Sequence, residues 1–243
     1  MVRKINVILL DLGRTLVDYS TPPHMLITKT LQKYGYVLNP LDVKKALEDS
    51  EHAFTPLKRK IRKIFKGEPY RYVHLPKEFW IEYNKYLLKK LGIEFRVEIV
   101  EDLFNTFYSV DNVMIYDDVV PTLKELKKTY KLGLVSNNTE FAKLILRFFG
   151  LEKYFDVVVI SYEVGVEKPD ARIFKIALKR LGSRPEEAVH VGDDPLMDVK
   201  GAKNAGILPI LIDRKGVYKG KVKTLIIETL NELPLLLRNI QRA

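Results

Sequence analysis

Hydrophobic residues follow two different patterns along this 243-residue chain. Near the start, Val7-Ile8-Leu9-Leu10 is an unbroken apolar run followed by Asp11 and punctuated by Gly13. A run with no polar alternation predicts a strand buried on both faces, and so a central strand of a parallel sheet. After Tyr116, short apolar runs alternate with amphipathic stretches. Helix is predicted from Val120 to Tyr130, strand from Leu132 to Val135, helix from Glu140 to Phe149 and strand from Val157 to Ile160. The alternation continues with helix from Ala171 to Leu181, strand from Ala188 to Val191, helix from Leu196 to Ala205 and strand from Leu208 to Ile212. Such alternation predicts βα units, hence an α/β fold with a Rossmann-like parallel sheet and helices on both sides. The tail adds one strand, Thr224 to Ile227, and one helix, Leu230 to Gln241.

Between Asp18 and Tyr116 the alternation stops. Apolar residues there fall at helical spacing, as in Phe79, Trp80, Tyr83, Leu87 and Leu91, then Val100, Leu103, Phe104 and Phe107. That spacing predicts an all-helical insert whose aromatic stripe is core packing. The expected organisation is a core domain of residues 1–17 and 116–243 and a helical domain of residues 18–115. Pro22-Pro23 and the segment around Asp117-Asp118 are the expected hinges. No internal repeat or low-complexity segment interrupts the chain.

Composition narrows the compartment. The chain has no cysteine, which excludes a disulfide framework and a thiolate metal site. Met1-Val2-Arg3-Lys4-Ile5 lacks a signal-peptide layout, and no apolar stretch is long enough to span a bilayer. The expectation is a soluble, cytoplasmic protein with no membrane partner.

The net charge of +10 and pI near 9.4 raise the question of nucleic acid, and the run Lys58-Arg59-Lys60-Ile61-Arg62-Lys63-Ile64-Phe65-Lys66 sharpens it. Ile61, Ile64 and Phe65 within that run also fit an amphipathic helix with a solvated face, and charge-rich compositions occur in heat-adapted proteins. The balance favours a surface that attracts phosphorylated substrates over one that binds nucleic acid.

The chemistry is concentrated in four short segments: Asp11 to Thr15 after the first apolar run, Ser136-Asn137 after a second, Lys168-Pro169-Asp170, and Gly192-Asp193-Asp194 with Asp198. A carboxylate at a strand end, a hydroxyl at another, a lysine and a closing acidic cluster are the parts of a metal-assisted phosphoryl-transfer site. Mg²⁺ is held by a few carboxylates with waters and phosphate oxygens. His190 lies within a predicted strand and reads as a packed core residue.

In this order the four segments resemble motifs one to four of the haloacid dehalogenase (HAD) superfamily. The resemblance runs from Val7 to Ile212, with the insert at the position of the family's helical C1 cap. It implies that Asp11 is the nucleophile, that Thr15 orients its loop, and that Ser136 and the backbone amide of Asn137 bind phosphoryl oxygens. Lys168 would neutralise phosphoryl charge, with Asp198 pairing to it. Asp11, the Gly13 carbonyl and Asp193 would hold Mg²⁺, with Asp194 close behind Asp193, and the sequence alone does not choose between these two adjacent acids. The implied activity is a Mg²⁺-dependent phosphatase acting on a small phosphorylated metabolite through an aspartyl-phosphate, as a monomer or homodimer, with the cap closing to exclude water.

The chain departs from the family at two positions. Most phosphatases of the family carry a second aspartate, the general acid and base, where this chain has Gly13. Arg14 replaces the usual glycine and could hold an anionic substrate. A missing general acid is typically worth about 10²–10⁴-fold, so the expectation is a slow enzyme, one that favours good leaving groups, or one with a substitute acid drawn from Asp18, Glu51 or His52. A 2-haloacid dehalogenase also lacks that aspartate but lacks the acidic pair of Asp193 and Asp194 as well. A phosphonate-cleaving relative needs a cap lysine, and a catalytically reduced binding protein is the remaining alternative. Tyr19, His24, Phe54, Lys58 and Tyr70 are the cap residues from which substrate choice could come.

Overall fold

The computed structural model describes residues 4–64 and 77–242, the side chains of 58–64, 77 and 78 excepted. The basic run from Lys58 to Lys66, and Tyr70, therefore lie outside the described side chains.

The chain begins with β1 (Val7–Leu10) and β2 (Val17–Tyr19), then four helices, α1 (Pro23–Gln32), α2 (Pro40–Ile64), α3 (Lys77–Lys90) and α4 (Val97–Phe107). After β3 (Val113–Ile115) come α5 (Val119–Leu126), β4 (Lys131–Ser136), α6 (Phe141–Phe148), β5 (Val157–Ile160), α7 (Ser161–Val164) and α8 (Ala171–Leu181). The chain ends through β6 (Ala188–Gly192), α9 (Gly201–Asn204), β7 (Leu208–Ile212), β8 (Leu225–Ile227) and α10 (Leu233–Ile240).

All four residues of β1 are buried, as a two-sided apolar run requires. The six-stranded sheet has the order β5-β4-β1-β6-β7-β8, and each adjacent pair of its strands runs parallel. Successive strands thus fill the sheet outward from β1 on one side and then jump to the other. The reversal beside β1 opens a crevice at the carboxyl ends of the strands, where open α/β sheets bind ligands. Leu10 stands opposite Leu134 of β4 and Val191 of β6, so Asp11, Ser136 and Gly192 all emerge at that edge.

Val7 and Leu9 join Val135, Val159, Phe174, Leu178 and Leu181 in one core cluster. Ile8 and Leu10, equally buried, face the opposite side by the two-residue strand period. α8 starts and stops on its own signals. Asp170 caps it by accepting from the backbone N–H of Arg172, and Gly182 ends it in the left-handed region with φ 62°, a conformation glycine adopts without steric penalty.

The chain divides into two compact units, Met1–Asp18 with Ile115–Ala243, and Tyr19–Met114. The second unit packs Ile27, Leu31, Val43, Leu87, Leu88, Ile99 and Leu103 into its own core. Phe79 and Tyr83 of the aromatic stripe are buried and cluster edge-on with Phe54. Among the described residues no helix is long and apolar enough to cross a membrane.

Two local expectations differ from the structure. β3 lies inside the stretch expected to be purely helical, and it pairs with β2. The helix expected from Leu196 to Ala205 begins instead as a π-helix over Pro195–Lys200 and only then becomes α9. The backbone N–H of Val199 reaches the Asp194 carbonyl at 3.2 Å, a five-residue span that widens the turn and re-aims its side chains.

Candidate active site

Asp11 follows β1, and its backbone N–H continues the sheet ladder by donating to the Val191 carbonyl at 2.9 Å. Its carboxylate meets Lys168, whose Nζ lies 2.6 Å from Asp11 Oδ1 and 2.6 Å from Asp198 Oδ1. The lysine side chain is 3 % exposed, so this is a buried carboxylate–ammonium–carboxylate bridge. Lys168 is held at its backbone by the Asn137 side chain. Asn137 Nδ2 donates to the Lys168 carbonyl at 2.9 Å while its Oδ1 accepts from the Lys168 N–H at 2.7 Å.

Asp198 collects donors. Besides Lys168 it accepts from His190 Nε2 at 2.9 Å and from the backbone N–H of Asp194 at 3.0 Å. His190 is fully buried and packs edge-on against Phe174, with ring centroids 4.9 Å apart. Asp198 also presses on the backbone of β6: a Cβ built at Gly192 would lie 2.2 Å from its Cγ. Gly192→Ala should therefore cost about 1–3 kcal/mol, the range for overpacking a tight core, and should disturb the Lys168 bridge. Urea unfolding of variant and parent measures this, and an unchanged midpoint would reject the close approach.

The acidic pair at the end of β6 splits. Asp193 joins Asp11 and Asp198 in a group whose ligand atoms lie within 4.8 Å of one another. Asp194 does not; its Oδ1 accepts from the N–H groups of Leu196 and Met197 at 2.7 and 2.9 Å, which makes it the N-cap of the π-helix. Of the two adjacent acids between which the sequence does not choose, Asp193 is the one grouped with Asp11. Asp193 Oδ2 pairs with Arg14 Nε at 3.0 Å.

Burial pushes the Asp11 carboxyl above its ordinary range, and the attraction of Lys168 offsets only part of that. Burial likewise raises Asp193, to about 7, with Arg14 pulling it down and Asp11 and Asp198 pushing it up. Asp198 behaves oppositely: burial would raise it too, but Lys168 and His190 outweigh burial and hold it well below the carboxylate range. Lys168, which burial alone would lower, is held above its ordinary value by Asp11 and Asp198. Negative charge thus remains incompletely balanced on Asp11 and Asp193, and the hard-oxygen donors there suit a small divalent cation.

Ser136 is buried at the end of β4. Thr15 is fully buried, and its hydroxyl makes no hydrogen bond among the described residues. Its carbonyl instead fastens the loop, accepting from Arg214 Nε at 3.2 Å and Nη2 at 2.8 Å. Arg214 also forms a two-pronged pair with Asp118 at 2.9 and 2.9 Å and lies 3.8 Å over the Tyr116 ring. Neither Arg214 nor the Asn137 side chain was singled out from the sequence. An arginine two residues after an apolar run carries no motif, whereas the Asn137 amide matched to one residue's N–H and C=O depends on a 31-residue separation.

Of the three substitute acids, Asp18 accepts from the Tyr116 hydroxyl at 3.0 Å, and Glu51 accepts from Tyr83 at 2.8 Å within the helical unit. His52 is exposed on α2. Tyr19 donates to the Phe107 carbonyl at 3.2 Å, Phe54 packs in the aromatic cluster, and His24 is half-buried on α1. A cleft of about 460 Å³ lies against Tyr116, Asp118 and Arg214 and includes neither Asp11 nor Asp193 in its lining.

Residues 5–206 match the family model described as haloacid dehalogenase-like hydrolase. The glyceraldehyde 3-phosphate phosphatase of Pyrococcus furiosus is 29% identical over 251 residues, covering 99% of this chain and 95% of that one. The protein of the same name from Methanopyrus kandleri is 38% identical over 139 residues, covering 55% of this chain and 58% of that one. That match spans little more than half the length of the Methanopyrus protein. Among solved structures, an HAD phosphatase from Thermococcus onnurineus superposes with a TM-score of 0.61 at 26% identity, over 96% of this chain and 98% of that one.

Proposed function

This chain belongs to the haloacid dehalogenase-like hydrolases, and from that membership we propose that it is a Mg²⁺-dependent phosphatase of a small phosphorylated metabolite, working through an aspartyl-phosphate on Asp11. The observation that carries this reading is the buried bridge from Asp11 through Lys168 to Asp198, with Asp193 beside it, at the carboxyl edge of the sheet. The relatives named glyceraldehyde 3-phosphate phosphatase support a small phosphomonoester as substrate.

In this mechanism an Asp11 oxygen attacks phosphorus, the bond to the leaving oxygen breaks, and that oxygen takes up a proton. Water then attacks phosphorus in the aspartyl-phosphate, releasing inorganic phosphate and restoring the carboxylate. Lys168 keeps Asp11 oriented and neutralises charge on the phosphoryl oxygens, while Ser136 and the backbone amide of Asn137 donate hydrogen bonds to them. Asp11, Asp193 and the Gly13 carbonyl would hold Mg²⁺, which supplies further charge stabilisation to the transferring group. Asp194 leaves this set because its carboxylate is engaged as a cap. The helical unit is read as the C1-type cap, the part from which substrate choice is drawn.

Purified protein should hydrolyse p-nitrophenyl phosphate with Mg²⁺, lose that turnover in chelator and regain it when Mg²⁺ is returned. Turnover that survives chelation would reject the mechanism. Chloride release from 2-chloropropionate, with no phosphate release, would assign the site to dehalogenation instead.

The missing acid has its own test. A Cβ at Gly13 would meet no heavy atom within 4 Å, so a side chain can start there without a clash. Gly13→Asp should raise turnover of alkyl phosphates by about 10²–10⁴-fold and that of p-nitrophenyl phosphate much less, because nitrophenolate leaves without a proton. Equal, unimproved rates on both substrates would favour a catalytically reduced protein.

A further inference from the structure

Among the described residues, Arg14 is the one residue other than glycine with a positive φ, 55°. L side chains resist that left-handed conformation because Cβ crowds the following carbonyl oxygen. The backbone around it is tightly fixed: Arg14 N–H donates to the Val17 carbonyl at 2.6 Å, and the N–H groups of Leu16 and Val17 both return to the Leu12 carbonyl. Sustained strain beside a carboxylate cluster motivates a functional explanation, and the side chain supplies one. Its Nε lies 3.0 Å from Asp193 Oδ2, while the side chain as a whole is 59 % exposed.

That geometry sets two cations against one donor. The guanidinium already neutralises part of the Asp193 charge. A divalent ion arriving at Asp11 and Asp193 either displaces Arg14 or shares the site with a fixed positive charge a few ångströms away. Either course lowers its affinity, since like charges repel strongly in a partly buried site. Lys168 differs from Arg14 in being buried, held 2.6 Å from both Asp11 and Asp198 rather than paired with Asp193.

We propose that Arg14 is a competitor built into the metal site, pairing with Asp193 and thereby weakening the hold of Asp11 and Asp193 on a divalent cation. This inference rests on the Mg²⁺ reading given above, and it concerns how tightly the ion is held.

The test is Mg²⁺ binding to the metal-free 243-residue chain, by isothermal titration calorimetry and by the Mg²⁺-dependent rise in melting temperature. The parent is compared with Arg14→Gly, Arg14→Gln and Arg14→Lys, with Asp193→Asn as the control that removes the donor. Arg14→Gly and Arg14→Gln should each bind Mg²⁺ about tenfold more tightly, the shift that about 1.4 kcal/mol of relieved repulsion produces, while Arg14→Lys stays near the parent. Glutamine keeps the Cβ and its strain but drops the charge, so tightening in both variants isolates the charge. Unchanged or weaker binding in Arg14→Gln overturns the proposal, as does tightening in Arg14→Gly alone, which would be relief of strain. A failure of the metal reading looks different: Mg²⁺ then produces neither heat nor a thermal shift in the parent or any Arg14 variant.

Discussion

Asp11→Asn should abolish turnover of p-nitrophenyl phosphate, by on the order of 10⁴-fold or more, while leaving the protein more stable than its parent. The loss follows because an amide cannot attack phosphorus to form the acyl phosphate. The gain follows from burial. Asp11 has a carboxyl raised above its ordinary range because the site takes it out of water faster than Lys168 compensates, so ionising it works against folding. Removing that charge should raise the melting temperature measured in chelator.

The sign with pH follows from the same direction. A carboxyl whose folded value is raised supports the fold at acid pH and loses that support as pH climbs through the folded value. The stability gap between Asp11→Asn and parent should therefore open as pH rises from about 4, the ordinary carboxylate range, and close below it. An Asn variant with lower stability at neutral pH would show that the ion pair with Lys168 outweighs desolvation.

Lys168→Met should produce the largest stability loss of any substitution in the site. It leaves the length of the side chain in place but withdraws the one ammonium lying 2.6 Å from both Asp11 and Asp198. Two buried carboxylates then face each other with no cation between them. Removing one partner of a buried pair costs about 3–5 kcal/mol, and this ammonium serves two. His190 and the Asp194 N–H still hold Asp198, which keeps the expected value inside that range. Turnover should vanish with it, and the stability deficit should shrink in acid as the uncompensated carboxylates protonate. Urea midpoints at neutral and acid pH measure both, and a deficit below about 1 kcal/mol at neutral pH would mean that water already screens this bridge.

Much of this site is legible in the chain because its chemistry sits at the ends of strongly patterned elements. An apolar run such as Val7 to Leu10 has one reading, a covered strand, and the residue after it must emerge at the sheet edge. The pairing of Asp198 with Lys168 was implied by the family resemblance, and the packing of His190 by its place inside a predicted strand. What the pattern could not convey was how a polar group near that edge divides its hydrogen bonds. Asp193 and Asp194 are chemically identical neighbours, and only the wide first turn over Pro195–Lys200 makes one a cap and leaves the other beside Asp11. Thr15 likewise holds its loop through a carbonyl that every residue has, with a partner, Arg214, lying 199 residues away.

By itself, then, the sequence determined the covered strands, their alternation with helices and the residues placed at the strand ends, because burial and side-chain period are local properties of a chain. Tertiary structure alone decided the strand order that opens the crevice beside β1, the clamp of Asn137 on Lys168, the cap formed by Asp194 and the left-handed turn that carries Arg14 to Asp193. Those outcomes depend on which buried donors and acceptors remain to be satisfied once the sheet has assembled, and hydrogen bonds across such separations are chosen only when the whole core is in place.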